Sequence, residues 1–193
     1  MIANVLVATL AGFLYGFKTD ERKLSLETFI PSAALTPGRL NIFNFKNFKV
    51  MIDFAHNKAG YLAMEEFLSS IESPHKVGII AGVGDRRDED IRDLGIIGAR
   101  MFDHIIIRQE KYLRGRTEEE IVNLLVEGIH TVDKKVTYEV IPREVEAIKH
   151  AINLGQEGSF ITALSDVITN AIEIVQEYLD KETEALEAES LKA

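Results

Sequence analysis

The sequence predicts a doubly wound α/β domain whose sheet is mostly parallel, with an antiparallel hairpin at its N-terminal side. From residue 61 onward, short apolar runs alternate with longer stretches in which apolar residues recur at helical spacing. Strands in such a chain are joined by right-handed crossovers, which place helices on both faces of a parallel sheet. Just before this part, two β-rich runs, residues 39–44 and 48–54, are separated by three residues, which is short enough for a hairpin.

The composition fits a folded domain of this class. The chain has 193 residues, 46% hydrophobic and 27% charged, which is enough for one sizeable core and argues against intrinsic disorder. A formal net charge of -9 argues against a nucleic acid or an anionic membrane as the main partner, because both would repel the average surface. The absence of cysteine excludes disulfides and thiolate zinc sites, and without a recognisable signal peptide the cytoplasm is the expected location.

The N-terminal segment predicts two helices that precede the alternating pattern. Residues 2–17 are apolar but fewer than the roughly 20 residues of a membrane-spanning helix, so a buried helix is expected there. Residues 20–29 predict a short amphipathic helix, and residues 31–38, with two prolines and a glycine, interrupt all regular structure. A boundary is expected at that point. The predicted division is into residues 1–35, residues 36–180 and an acidic tail, residues 181–193.

The alternating part predicts strands and helices in turn. Apolar runs predict strands at residues 77–81, 104–108, 136–141 and 159–164. Helical spacing predicts helices at residues 61–71, about 89–102, 117–130, 142–153 and from about residue 166. Pro142 suits the first turn of its helix, because that position needs no backbone N–H donor. The tail from residue 182 is expected to extend the last helix or to fray.

Ligands of doubly wound folds bind beyond the carboxyl ends of the parallel strands. The loops after Phe54, Ala81, Arg108 and Leu164 follow four of the predicted strands, so they should share one edge of the sheet. This edge is the expected binding region.

The first of these loops places Asp53, His56, Asn57 and Lys58 between a strand and a helix. Polar side chains beside the free N–H groups of a helix start suit an anionic or nucleotide ligand. The alternative is structural, because an Asp or Asn after a strand often caps the following helix. The density of polar residues in six positions favours a ligand-binding loop.

The next two loops are rich in charge. Residues 82–90 begin with two closely spaced glycines but are not a dinucleotide fingerprint, because Arg87 occupies the place of the third glycine. A helix dipole would explain the acidic residues at the end of this loop, but not Arg86 and Arg87, so a bound anion or carboxylate is predicted. Residues 108–116 are basic and gain significance because they share the edge with the other two loops.

Spacing argues against several other kinds of chemistry. Gly12, Gly16, Lys18 and Thr19 resemble a phosphate-binding loop, but their spacing departs from G-x-x-x-x-G-K-[ST] and no strand precedes them. The histidines are scattered, and no Ser, His and Asp spacing or paired-histidine motif indicates a hydrolase or a metalloprotease. Neither a metal site nor a catalytic residue is predicted in this chain.

Four segments together resemble the C-terminal domain of the Mur ligase superfamily, in particular its cyanophycin synthetase type. The segments are residues 31–43, 53–57, 82–88 and 113–116. The last strand continues into Leu-Ser-Asp-Val at residues 164–167, which suits this type better than the Gly-Lys-Gly-His of peptidoglycan ligases. The resemblance covers nearly the whole chain and implies the same fold class.

The resemblance implies a part of an ATP-dependent amide ligase that uses ATP and Mg²⁺. Such ligases phosphorylate a carboxylate, and an amine then attacks the acyl phosphate. In the cyanophycin synthetase type, arginine is joined through its α-amine to aspartate side chains of a polymer. A central domain holds the phosphate-binding loop in this family, so residues 1–35 would be its last helices. The chain would then depend on missing N-terminal and central domains and would be inactive alone.

The resemblance also assigns site residues by position. Those that match the nucleotide site are Arg39, Asp53, His56 and Asn57. Those that match the amino-acid site are Gly84, Asp85, Arg86, Arg87, Asp88, Arg114 and Arg116. Guanidiniums that bind a carboxylate and carboxylates that bind a guanidinium are what an arginine substrate requires.

Two positions depart from the family pattern, and several alternatives stay open. Phe54 replaces a common tyrosine, and Lys58 stands where proline usually follows His-Asn, which puts the placement of His56 and Asn57 in question. The alternatives are another Mur-like ligase, of the peptidoglycan or folylpolyglutamate type, and a non-catalytic ligand-binding domain. The association state is open, with a homo-oligomer among the options.

Overall fold

The computed structural model describes residues 2–29, 32–109 and 113–191. Within these ranges the chain forms seven helices and six strands. In chain order they are α1 (Ile2–Leu14), α2 (Thr19–Thr28), β1 (Asn41–Asn44), β2 (Lys49–Asp53), α3 (Lys58–Ser69), β3 (Lys76–Ile80), α4 (Asp88–Met101), β4 (His104–Ile107), α5 (Glu118–His130), β5 (Thr137–Val140), α6 (Glu144–Asn153), β6 (Phe160–Leu164) and α7 (Ile168–Ser190).

The described strands form one mixed sheet in the order β1-β2-β6-β3-β4-β5. Strands β1 and β2 pair antiparallel as the predicted hairpin, and the other neighbouring pairs are parallel. The predicted fold class is confirmed. The register sets Asp53 beside Leu164 where β2 and β6 end, and Ile80 beside Ile107 where β3 and β4 end. The loops after these strands therefore share one edge, as the sequence predicts.

The two faces of the sheet are covered by different helices. Helices α3, α4 and α5 share one core with Ile80 and Ile107, whereas α6 and α7 share the other with Ile79 and Ile106. This follows from the alternation of side chains along a strand. Strands β6 and β3 are neighbours, yet the helices that follow them lie on opposite faces. The carboxyl edge between them is therefore the topological switch point, where doubly wound folds bind ligands.

Helices α4 and α5 approach closely because glycines face each other's backbone. A Cβ atom on Gly95 would lie 2.1 Å from the Leu125 carbonyl oxygen, and one on Gly128 would lie 2.1 Å from the Arg92 carbonyl oxygen. No larger side chain fits at either position without moving a helix. This contact fixes α5 against α4, and the loop with Arg114 and Arg116 leads directly into α5.

The prediction that the first helix is buried is wrong for the described part of the molecule. Helix α1 forms, but Leu6, Leu14 and Tyr15 are 64%, 75% and 90% exposed. Among the described residues, α2 is the helix that packs against α1, and α2 contributes no buried side chain. The apolar faces of α1 consequently point away from both cores. Among the described residues, the structure contains no helix long and apolar enough to cross a bilayer.

The other predicted elements are present, with ends that differ from the structure by at most three residues. Pro142 is a further correction, because it precedes α6 and Arg143 is the N-cap residue, so the proline lies outside the first turn. The extension of the last helix is confirmed, since α7 continues to Ser190.

Candidate functional site

Asp53 ends β2 and holds the entry to the hairpin in place. Its two carboxylate oxygens accept hydrogen bonds from the backbone N–H groups of Leu40 (2.9 Å) and Ala55 (2.8 Å). Leu40 has a φ of 51°, a left-handed conformation that leucine seldom adopts. The carboxylate therefore stabilises a strained turn and, by the same contact, fixes the position of Arg39.

Arg39, Phe54 and His56 form a row of planar groups beside this turn. The Arg39 guanidinium carbon lies 5.4 Å from the centre of the Phe54 ring, and the His56 ring centre lies 4.8 Å from it. His56 Nδ1 is 2.9 Å from the Phe54 carbonyl oxygen. Phe54 thus contacts both neighbours, and a phenylalanine serves this packing without the hydroxyl of the family's tyrosine. The row combines a cation with aromatic surface, which suits a base or a phosphate.

Asn57 has the structural role that was the alternative in the sequence analysis. It is the N-cap of α3, and its Oδ1 accepts a hydrogen bond from the Gly60 N–H at 2.9 Å. Lys58 is the first residue of that helix, and its Nζ lies 2.7 Å from Asp93 Oδ2 of α4. The cap on α3 is therefore formed with a lysine as the first residue of the helix.

The two charged loops meet at the same edge through Arg116. Its guanidinium donates to the carbonyl oxygens of Gly84 (3.0 Å) and Arg86 (2.9 Å) and to Asp88 Oδ1 (2.7 Å). The backbones also touch, because a Cβ on the buried Gly84 would lie 1.9 Å from the Leu113 carbonyl oxygen. Glycine is thus required at residue 84 for packing, whatever ligand the loop binds.

A second link between these loops joins Arg114 Nη1 to Asp85 Oδ2 at 2.9 Å. This hydrogen bond holds the pKa of the Asp85 carboxyl below its ordinary value. Arg114 has a φ of 48°, and Gly115 follows with a φ of 94°, so the chain turns sharply here. Part of the predicted third loop, residues 110–112, lies outside the described residues.

Arg86 and Arg87 have acidic partners in the structure. Arg87 donates from Nε and Nη2 to the two carboxylate oxygens of Asp90 at 3.0 and 2.9 Å, and this pairing lowers the pKa of Asp90. Arg86 Nε lies 3.8 Å from Asp85 Oδ1. Both arginines thus have acidic partners without a bound ligand, and Arg86 stays exposed, so the anion site at these arginines stays a prediction.

A buried ionic cluster, formed by Arg108, Glu144, Ser165 and Asp166, is the feature that sequence reasoning missed. The Arg108 side chain is only 4% exposed, and its guanidinium lies 3.2 Å from Glu144 Oε2 and 2.8 Å from Asp166 Oδ1. Ser165 Oγ donates to Glu144 Oε1 at 2.5 Å. Burial raises the pKa of the Glu144 carboxyl, the Arg108 guanidinium acts against this rise, and the neighbouring Asp166 carboxylate adds to it.

One signal in the sequence points to this cluster. Arg108 directly follows three consecutive buried isoleucines of β4, where a solvated charge is not expected. Its two acidic partners follow different strands, β5 and β6, and their proximity cannot be read from local spacing.

A family model described as the glutamate ligase domain of Mur ligases matches residues 38–167, more than half of the chain. The match runs from the turn before β1 to the N-cap of α7, and so contains both groups of candidate residues and the buried cluster. The chain belongs to the Mur ligase family.

Curated relatives refine this family assignment. The Mur ligase chain is 39% identical to cyanophycin synthetase from Geminocystis herdmanii over 178 residues, which are 92% of this chain and 20% of that protein. It is 32% identical to the UDP-N-acetylmuramoyl-L-alanyl-D-glutamate–2,6-diaminopimelate ligase of Aquifex aeolicus over 130 residues, or 66% of this chain and 26% of that protein. The chain thus spans about a fifth of the length of the cyanophycin synthetases it matches.

Solved structures share the Mur ligase fold at lower identity. A UDP-N-acetylmuramoyl-L-alanyl-D-glutamate–2,6-diaminopimelate ligase aligns with a TM-score of 0.62 at 16% identity, covering 92% of this chain and 38% of that one. Mycobacterium tuberculosis folylpolyglutamate synthase, complexed with ADP and AMPPCP, aligns with a TM-score of 0.61 at 18% identity, covering 83% and 35%. At these identities the likeness establishes the fold.

Proposed function

We propose that the chain is the C-terminal domain of an ATP-dependent amide ligase of the cyanophycin synthetase type. It helps to bind ATP and the incoming arginine, whose α-amine attacks an acyl phosphate formed on an aspartate side chain of a polymer. The observation that carries the proposal is the 39% identity to a cyanophycin synthetase over 92% of the chain. The gathering of the candidate loops at one edge of the sheet supports it.

The nucleotide side of the proposed site is the Arg39, Phe54 and His56 row. Arg39 is exposed, and its Nη1 donates to the Gly38 carbonyl oxygen at 2.9 Å. The other donors of its guanidinium can approach a phosphate, and the two rings offer a surface for the base or ribose. Asp53 holds the turn next to Arg39 through its hydrogen bond from the Leu40 N–H. Asn57 contributes the cap that orients α3.

The amino-acid side is formed by the loops that Arg116 joins. Arg86 and Arg114 are about half exposed and supply guanidiniums for a substrate carboxylate, while Asp85 and Asp88 keep the loop's own charge balanced. Rigid pairing of these groups orients them before the ligand binds, which reduces the cost of ordering the site on binding.

The proposal assigns the phosphate-transfer machinery to the rest of the ligase. The sequence contains no G-x-x-x-x-G-K-[ST] segment. Among the described residues there is also no group of three or more His, Cys, Asp or Glu arranged to hold a metal ion. We expect the 193-residue chain alone to show neither ATP hydrolysis nor amide formation.

Residues 1–35 belong, in this proposal, to the central ATP-binding domain of the same ligase. Helices α1 and α2 border an apolar cavity of about 740 Å³ that also reaches Arg39. The family match begins at residue 38, after both helices. A central domain seated on α1 and α2 would cover their exposed apolar side chains and bring ATP to Arg39. The tail after residue 180 extends α7 and has no assigned role.

A chimera tests the proposal directly. The corresponding segment of Geminocystis herdmanii cyanophycin synthetase is replaced by residues 1–193, and incorporation of labelled arginine into polymer is measured with ATP. We expect incorporation with this chain and none when the segment is deleted. A folded chimera without arginine incorporation would contradict the proposal.

The alternatives give different results in the same assay. Activity with diaminopimelate or glutamate in place of arginine would favour a peptidoglycan or folylpolyglutamate type of ligase. Ligand binding without any turnover in the chimera would favour a non-catalytic domain. The cytoplasmic location and the association state stay predictions.

A further inference from the structure

Arg39 lies on a turn between two residues with left-handed backbones. Gly38 before it has a φ of 70°, and Leu40 after it has a φ of 51°. Glycine adopts such angles without strain, whereas leucine rarely does, because its Cβ comes too close to a backbone oxygen. Strained residues persist only where their surroundings hold them, and they cluster at ligand-binding sites. The surroundings of this turn must therefore hold it against its own preference.

The side chain of Asn41, the first residue of β1, holds the turn from one side. Asn41 is only 4% exposed, and its Oδ1 accepts a hydrogen bond from the Gly38 N–H at 2.6 Å. Its Nδ2 donates to the Thr36 carbonyl oxygen at 3.0 Å. Because an amide offers both an acceptor and donors, neither a carboxylate nor an apolar side chain can make the same set. A single buried amide thus connects residue 36 to residue 38, directly before Arg39.

Asp53, at the end of β2, holds the turn from the other side through its hydrogen bond from the Leu40 N–H. The next residue, Phe54, donates its N–H to the Gly38 carbonyl oxygen at 3.0 Å. Since β1 and β2 pair antiparallel, the start of β1 and the end of β2 lie together at the carboxyl edge. Asn41 and Asp53 therefore hold the same turn from neighbouring strands.

The held turn also orders the side chain of Arg39. Its guanidinium is bound to the Gly38 carbonyl oxygen through Nη1 and lies over the Phe54 ring. An arginine side chain loses many rotamers when it is ordered, and a site that is ordered in advance avoids this loss on binding. Both contacts of Arg39 depend on the position of residue 38, whose N–H is bound to Asn41.

We infer that Asn41 is a positioning residue of the nucleotide site, which together with Asp53 holds Arg39 in the orientation that binds a phosphate group. The identity of the ligand rests on the proposed function. Asn41 is not among the residues that the resemblance assigns to the site. In this role it needs no contact with the nucleotide and acts through Arg39.

A double-mutant cycle in the chimeric ligase tests this role. Arg39→Ala and Asn41→Ala should each raise the Michaelis constant for ATP by roughly ten-fold, the effect of losing one charged hydrogen bond. The double variant should raise it no further than Arg39→Ala alone, because Asn41 acts through Arg39. The Michaelis constant for arginine should stay the same in all three variants.

Ser159→Ala is the matched control, directly before β6 at the opposite edge of the sheet. Ser159 is 2% exposed, and its Oγ accepts from the Gln156 N–H and donates to the Gln156 carbonyl oxygen. The turn it holds also has a left-handed residue, Gly158, with a φ of 77°. Ser159→Ala should therefore lower the melting temperature, as Asn41→Ala does, but leave the Michaelis constant for ATP unchanged.

Asp53→Ala disturbs the same turn from β2 and serves as the second variant if Asn41→Ala does not fold. Its effect should also be absent once Arg39 is alanine, whereas a direct contact between Asp53 and ATP would make the two effects add. Additive effects in either double variant would overturn the inference. So would an unchanged Michaelis constant for ATP in Asn41→Ala, or an equal rise in the constants for ATP and arginine.

Amide hydrogen exchange in the 193-residue chain separates this inference from the proposed function, because it needs neither ATP nor turnover. Asn41→Ala should speed up exchange of the Gly38 N–H by at least roughly ten-fold relative to the amides of β3. Unchanged exchange would reject the inference and keep the ligase. Faster exchange, with a chimera that is inactive when it carries the unaltered chain, would keep the held turn and reject the ligase.

Discussion

Replacing Arg108 by leucine isolates the energetic role of the buried ionic cluster. The substitution removes the only guanidinium within ion-pair distance of Glu144 and Asp166 among the described residues. Removing one partner of a buried ion pair typically costs about 3–5 kcal/mol, because a charge is left buried and unpaired. Burial already raises the pKa of Glu144, which favours its neutral form once the guanidinium is gone and limits the cost. We therefore expect the lower end, about 3 kcal/mol.

Thermal unfolding followed by far-ultraviolet circular dichroism measures this cost. A loss of about 3 kcal/mol corresponds to roughly 6–12 °C in a chain of this size. The free energy of unfolding that the variant loses should also depend on pH in a defined direction. A carboxyl whose folded pKa lies above its unfolded value destabilises the fold above that pKa, and protonation relieves the cost. The deficit of Arg108→Leu should therefore shrink as the pH falls from 8 towards 5.

Arg100→Leu is the matched control for this experiment. Arg100 makes two hydrogen bonds to Glu65, at 2.6 and 3.0 Å, but the pair lies at the surface. Exposed pairs typically contribute between 0 and about 1 kcal/mol. Adding Glu144→Gln and Asp166→Asn to Arg108→Leu should recover much of the loss, because no buried charge is then left. If Arg108→Leu cost no more than Arg100→Leu, or if its deficit grew at low pH, the reasoning would be refuted.

Three further predictions concern the candidate site and its support. In the chimeric ligase, Arg39→Ala should raise the Michaelis constant for ATP more than that for arginine, because Arg39 is assigned to the nucleotide. Steady-state kinetics in which the Michaelis constant for arginine rises more would reject the assignment. Gly128→Ala should lower the free energy of unfolding by about 2 kcal/mol or more in urea titration, because its methyl group meets a backbone oxygen at 2.1 Å. Gly98→Ala, which meets a flexible side-chain end at 3.3 Å, should cost less. Replacing Arg86 and Arg87 together by Gln should leave the melting temperature nearly unchanged, because both side chains are exposed. The use of arginine by the chimera should fall. A large drop in melting temperature with unchanged kinetics would show a structural role instead.

Local patterns were sufficient for most of the fold. Helical and strand periodicities each depend on neighbours within a few residues, so they predict elements whose ends lie within three residues of the observed ones. The failures are informative. Residues 2–17 are apolar enough for a buried helix, yet nothing in a local pattern shows which surface covers it, and the described part of the chain does not supply one.

The candidate site was predicted less completely than the fold. The meeting of residues 82–88 with residues 114–116 followed from the shared carboxyl edge. Asp53 and Asn57 accept hydrogen bonds from nearby backbone N–H groups, which was the structural alternative, and their assignment to a nucleotide stays a prediction. Pairing of Arg87 with a nearby aspartate was an alternative in the sequence, and only the structure shows that the partner is Asp90.

The sequence by itself determined the class of the fold, the hairpin and the edge at which the loops gather. These properties follow from the period of the apolar residues and from the one-way geometry of parallel strands. Only the tertiary structure decided that β6 lies between β2 and β3, and hence that Asp166 reaches Arg108. Strand order depends on packing between residues far apart in the chain, as with Arg108 and Asp166. The buried cluster therefore exists only once the sheet is assembled.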